Sequence, residues 1–175
     1  WNDSYHHIYW KVSNHMSTLS VDTIQGQTTA ANVKLPAGCV LQTVSANGPN
    51  SLVSFTGNTY TDINLSATIT PKYATSKILV KFNFVNATNT GSSGSYQNNA
   101  RILRGSTGIY EVVRSPWVNP ASGAGQLMHM EYMDSPSTTS ATTYKVQLRN
   151  GSGSGNVSAH MGNSNAQVIL MEIAQ

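Results

Sequence analysis

Charge is scarce in this chain: Lys, Arg, Asp and Glu together make up 10% of its 175 residues, against roughly 25% in an average soluble protein. The water-facing surface must therefore be built from neutral polar groups. The seven acids, Asp3, Asp22, Asp62, Glu111, Glu131, Asp134 and Glu172, are each singly placed. Paired carboxylates for acid and base work are missing, as are a G-x-S-x-G elbow, a G-x-x-x-x-G-K-[ST] loop and an H-E-x-x-H helix. These absences argue against an enzyme, and nothing in the composition calls for a cofactor or a resident metal. Ten Lys and Arg residues give a formal net charge of +3, yet they are scattered, with no stripe that could follow a phosphate backbone, so nucleic acid is not expected as a partner. No apolar run approaches the ~20 residues of a membrane span, and no membrane partner is expected either. The single cysteine, Cys39, cannot form an internal disulfide; beside Val40 it reads as a small apolar residue of the interior.

What the chain has in quantity is small and polar. There are 22 Ser, 18 Thr, 17 Asn and 14 Gly residues, 71 of the 175, which favours strands joined by turns over helices. An apolar fraction of 39%, delivered in short runs of Val, Ile, Leu, Phe and Tyr, is enough to bury a core.

Three regions are expected. Residues 1–15 (WNDSYHHIYWKVSNH) are rich in aromatic residues and His; Trp1, Tyr5, Ile8 and Val12 fall at helical spacing and would form one apolar face in need of a partner. The stretch is too short to be a stable isolated helix, which suits an anchor ordered by assembly. It precedes Met16, where the sequence reads like a natural amino terminus, so 1–15 is an extension or anchor. Residues 16–35, with Val21 and Ile24 among polar neighbours, suit an extended arm. Leu35-Pro36-Ala37-Gly38 then punctuates the chain, and residues 36–175 are expected to form the head.

Within the head the rhythm of short runs and turns predicts an all-β antiparallel sandwich of about ten strands. In Lys77 to Val85, Ile78, Val80, Phe82 and Phe84 alternate with Lys77, Leu79, Lys81 and Asn83, a period of two with one apolar face. In Thr61 to Thr70, Ile63, Leu65, Ala67 and Ile69 alternate with Asp62, Asn64, Ser66 and Thr68, and Pro71 closes the run. Met128, Met130 and Tyr132 stand against His129, Glu131 and Asp134, and Tyr144, Val146 and Leu148 against Lys145, Gln147 and Arg149. The terminal run, Val168, Ile169, Leu170, Met171 and Ile173, is almost continuously apolar. It predicts a central strand, or one covered on its second face by a neighbouring subunit.

Three stretches read as exposed connections: 86–98 (NATNTGSSGSYQN), 115–125 (SPWVNPASGAG) and 150–155 (NGSGSG). Trp117, between Pro116 and Pro120, is the most suggestive single side chain, and with Asn119 and Tyr96 it is the candidate contact to a receptor or glycan, since flat rings beside amides suit sugar stacking. Covering the end of the core is the plainer role for such a tryptophan. His129 and Glu131 share a strand face near Asp134, but without a further ligand a solvated polar face explains them better than a metal. His6, His7 and His15 read as an exposed tail, and His160 as a partly buried strand residue.

The stretch MSTLSVDTIQGQTTAANVKLPAG, followed by VLQTV at 40–44, resembles the leader of small fibre or appendage proteins of marine tailed bacteriophages. SKILVKFNF at 76–84, RILRGSTGIY at 101–110, DSPSTTSATTYKVQLR at 134–149 and VILMEIA at 168–174 are similar to the strand and turn signatures of the same proteins. The resemblance covers residues 16–175. It implies a virion structural protein with a jelly-roll or tumour necrosis factor-like head, a trimeric fibre, an arm that fixes the head to other virion proteins, and a place on the outside of the particle. A homotrimer contacting host surface glycan is the leading expectation. A capsid decoration or connector subunit without receptor binding, and a cellular surface filament or lectin-like subunit, are the alternatives.

Overall fold

Alternation dictates the sheets. In Thr61–Ile69 (β3) every second side chain, Ile63, Leu65, Ala67 and Ile69, is buried while the residues between them face water, and Thr142–Asn150 (β8) buries Thr142, Tyr144, Val146, Leu148 and Asn150 in the same way. The computed structural model describes residues 35–89, 96–118, 125–151, 156–159 and 165–175, all within one compact unit, Leu35–Gln175. Among the described residues there are ten strands and no helix. The others are β1 (Val40–Asn47), β2 (Val53–Thr56), β4 (Lys77–Asn89), β5 (Tyr96–Arg104), β6 (Thr107–Val118), β7 (Gly125–Asp134), β9 (Asn156–Ala159) and β10 (Gln167–Ile173).

Two antiparallel sheets result. The first runs β1-β10-β4 and continues through β4 to β7, with the short β9 and β2 extending the same layer; the second runs β3-β8-β5-β6. The pairing is nested: β1 with β10, β3 with β8, β4 with β7, β5 with β6. A polypeptide folded back on itself so that outer strands pair with outer and inner with inner, then rolled into two layers, is a jelly roll. The β5–β6 turn is made tight by Gly105, whose φ of 60° lies in the left-handed region.

The core lies between the layers. Ile63, Leu65, Ile69, Ile78, Val80, Phe82, Phe84, Ile102, Met130, Tyr144, Val146, Leu148, Val168 and Leu170 are all buried, and each large side chain removed from water contributes about 1.5–3 kcal/mol. At one side of the sandwich Tyr110 of β6 stacks on Tyr132 of β7, ring centroids 5.3 Å apart, so an aromatic pair joins the two layers.

Two carboxylates sit in this interior. Asp134 is buried, accepting from the Tyr144 hydroxyl at 2.7 Å and pairing with Arg104 at 3.0 Å. Its polarity suggested the outer face of His129 and Glu131, but two residues beyond Tyr132 it belongs to the inward set, opposite Ile78, where Tyr144 and Arg104 supply the partners that a buried charge requires. Glu172 is also buried. It accepts from Gln42 Nε2 at 2.6 Å and from the backbone amides of Lys72 and Tyr73 at 2.8 and 3.3 Å. Burial works to raise its pKa, but the hydrogen bonds from Gln42 and from the backbone amides of Tyr73 and Lys72 outweigh it and hold the carboxyl below its ordinary value.

Two further expectations change. The stretches 86–98 and 115–125 are not wholly connections: Asn86–Asn89 continue β4 against β9, Tyr96–Asn98 begin β5, and Ser115–Val118 end β6. Their Gly, Ser and Asn content suggested turns, but backbone pairing with β9, β6 and β5 respectively extends the strands. Cys39 is half-buried rather than interior.

Candidate functional site

The outer face of the first sheet departs from the expectation that a chain this polar shows water a polar surface. The register of β10 directs Val168, Leu170 and Glu172 inward and Ile169, Met171 and Ile173 outward. Across the neighbouring strands, Met171 stands opposite Leu79 on β4, which stands opposite Met133 on β7. Ile173 stands opposite Val40 on β1. Further along, Val85 faces Leu127. Val40 is 50% exposed, Leu127 69% and Met133 44%. A solvated sheet face normally carries polar side chains at these positions; a contiguous apolar one marks a surface that another body covers.

A polar patch interrupts this face. Lys81 Nζ lies 3.2 Å from Glu131 Oε2 across the β4–β7 pair, and His129 bridges Asn83 Oδ1 at 2.6 Å and Glu131 at 3.4 Å. Hydrogen bonds from Lys81 and His129 hold the Glu131 carboxyl below its ordinary range. These are the lateral pairs that register pins on a sheet surface. They bring His129 and Glu131 together as their spacing predicts, while Asp134 lies on the opposite side of the strand. Among the described residues no group of three His, Cys, Asp or Glu side chains is placed to hold a metal.

Of the five β10 residues expected at a subunit interface, Val168 and Leu170 are part of the subunit's own core; Ile169, Met171 and Ile173 face outward. β10 is a central strand, between β1 and β4. The candidate contact residues Tyr96 and Trp117 belong to strands rather than loops. Tyr96 is paired with Val118, the residue after Trp117, so the backbones of the two residues are brought to the same end of the β5–β6 hairpin. Asn119 lies outside the described residues, as do Trp1, Tyr5, Ile8, Val12, Val21, Ile24, His6, His7, His15 and His160.

Exposed apolar residues also occur on the rim formed by β6: Val113 is 58% exposed and Tyr110 37%. The alternation of β6 contains no signal for this, since Val112 and Val113 are adjacent and only pairing decides which one packs inward. Val112 packs against the core.

The fold and this surface together define a β-sandwich of jelly-roll topology with one apolar outer face. No known family profile matches the chain, and no curated protein matches it. Among solved structures it is similar to the VP2 subviral particle of infectious bursal disease virus, with 13% identity, a TM-score of 0.43, and coverage of 76% of this chain and 37% of that one. The infectious bursal disease virus Gx strain structure matches at 14% identity and TM-score 0.43, over 90% of this chain and 42% of that one. Latent PorU from Porphyromonas gingivalis matches at 8% and 0.34, over 81% and 13%. The chain thus spans less than half the length of each of these proteins.

Proposed function

We propose that the chain is a non-catalytic virion structural protein, the head of a fibre or appendage on the outside of a tailed phage, assembled as a homotrimer. The observation that carries this reading is the apolar outer face of the first sheet, centred on Ile169, Met171, Leu79 and Met133. A second copy of the same chain is the occupant argued here. A closed ring uses one heterologous interface, which needs two different patches on each subunit. The apolar sheet face supplies one of them. The salt bridge between Lys81 and Glu131 neutralises the charge of that pair on the sheet face.

Supporting the virion setting are the neutral polar surface, the jelly-roll pairing and the resemblance of residues 16–175 to phage appendage proteins. In this reading residues 1–15 and the arm, 16–35, attach the head, 36–175, to other virion proteins, and Tyr96, Trp117 and Asn119, beside the open end of the β5–β6 hairpin, meet host surface glycan. Sedimentation of the full chain at micromolar concentration tests the assembly: a particle of three times 18.8 kDa is expected, and monomer alone would overturn it. Imaging of the virion separates the fibre head from a connector or capsid decoration, because a head is free on its distal side.

A further inference from the structure

The outer face of the second sheet holds the opposite kind of surface. Although charged residues are few, five of them, Asp62, Arg101, Glu111, Lys145 and Arg149, converge there around one ring. The guanidinium of Arg101 lies 4.0 Å from the centroid of Tyr60 and that of Arg149 4.7 Å. The Tyr60 hydroxyl donates to Glu111. Burial, then the hydrogen bond and charge of Glu111, push the phenol up to about 12, so it remains a donor.

Both carboxylates of the cluster already face cations. Asp62 accepts from Lys145 at 2.9 Å and from Gln147 at 2.6 Å; Glu111 faces Arg149 at 3.5 Å as well as Tyr60. Arg101 is different. Its Nε and Nη2 both donate to the single neutral oxygen of Gln147, at 2.8 and 2.7 Å. Of the three arginines whose side chains are described, Arg104 and Arg149 face a carboxylate within 4.0 Å, and Arg101 faces none. It also forms one wall of a recess of about 470 Å³ lined by Gly108, Ile109, Tyr110 and Glu111. Gly108 keeps that recess open: the nearest atom to a Cβ placed there is Arg101 Cδ at 4.0 Å.

We infer that this recess is an anion subsite, in which Arg101 takes a carboxylate or sulfate group of an acidic polysaccharide while Glu111 and Tyr110 border its hydroxyls. A guanidinium fixed by an aromatic ring beneath it and an amide beside it is pre-organised for a planar, two-pronged partner. Against the effect of burial, Asp62 is held down by both Lys145 and Arg101, so three cations share two carboxylates and one positive charge is left over, with Arg101 the cation that no carboxylate contacts within 4.0 Å. The inference deepens the host-contact part of the proposed function by naming the ligand class, and it moves that contact from the open end of the hairpin to the sheet.

The test uses the full chain with alginate, dextran sulfate and neutral dextran as probes, in a solution-affinity assay at about 50 mM and about 200 mM salt. Binding to one or both polyanions, weakened by salt, and none to dextran is expected; alginate alone identifies the carboxylate, dextran sulfate alone the sulfate. Arg101→Gln should lower affinity about tenfold, since a charge-assisted bond is lost, and Arg101→Lys, which keeps the charge without the fork, should fall between. Lys77→Gln, which removes a cation from the other sheet's outer face, should leave affinity within about twofold. No polyanion binding, equal binding of dextran, or equal losses from Arg101→Gln and Lys77→Gln would overturn the subsite. Loss of all saccharide binding with Trp117→Ala while Arg101→Gln binds normally would also overturn it, and would leave the open end of the hairpin as the contact. Abolished saccharide binding leaves the trimer reading intact, because mass in solution reports that separately.

Discussion

The Tyr144 hydroxyl donates to Asp134 at 2.7 Å, and the bond joins residues of different sheets, β8 of one layer to β7 of the other. Burial, followed by the hydrogen bond and charge of Asp134, raises the Tyr144 pKa well above its ordinary value, which keeps the proton on the phenol. The polar contact therefore fixes how the two layers face each other, where apolar packing alone tolerates sliding. Tyr144→Phe should cost about 1–3 kcal/mol in urea denaturation at neutral pH. Arg104→Met leaves the buried carboxylate without its cation, and a loss of about 3 kcal/mol or more is expected.

Glu172 sets an acid limit. Its folded pKa lies below the ordinary 4.5, so the unfolded chain takes up the proton first as pH falls. The stability it contributes is fully present above that ordinary value and is lost as pH drops through the folded pKa. Glu172→Gln should be less stable at neutral pH and show a flatter decline in acid. Urea midpoints of both proteins across this range check it, and parallel curves would refute the assignment.

Asn64 has a φ of 58° on β3, an edge strand, where the register with β8 shifts between Asp62 and Ser66. Asparagine tolerates this left-handed backbone and β-branched residues do not. Asn64→Gly should be close to neutral and Asn64→Val should cost about 1–2 kcal/mol, read by thermal or urea denaturation.

Met171→Glu places a charge at the centre of the apolar outer face without touching the interior. The variant should fold with an unchanged circular dichroism spectrum and sediment as monomer. If it remained trimeric, the contact surface would have to lie elsewhere.

Much of the head was legible because alternation survives wherever one face packs inward. β3, the first part of β4, and β8 follow the predicted faces residue by residue. Asp134 was misplaced because it is polar: its parity with Met130 and Tyr132 puts it inward, and the partners that make this tolerable lie 10 and 30 residues away. The strand character of Asn86–Asn89 and Tyr96–Asn98 was hidden by turn-forming residues, since propensity yields to ladder pairing with a neighbouring strand. The terminal run announced a central strand, yet which of its apolar residues belong to the core depends on register alone. The Arg101, Tyr60 and Arg149 cluster could not be seen at all, because it joins three positions that only the order β3-β8-β5-β6 brings side by side.

The nested pairing carries a consequence for synthesis. β1 is among the first strands to leave the ribosome, and its partner β10 is the last of the ten. Until Gln167–Ile173 has emerged, β1 has no neighbour and β4 lacks one of its flanks. Such closures of long sequence separation are slow, and the waiting edges can pair wrongly with those of another nascent chain. Copies made close together on one message would meet at this stage, so mispairing between nascent chains competes with closure of the roll.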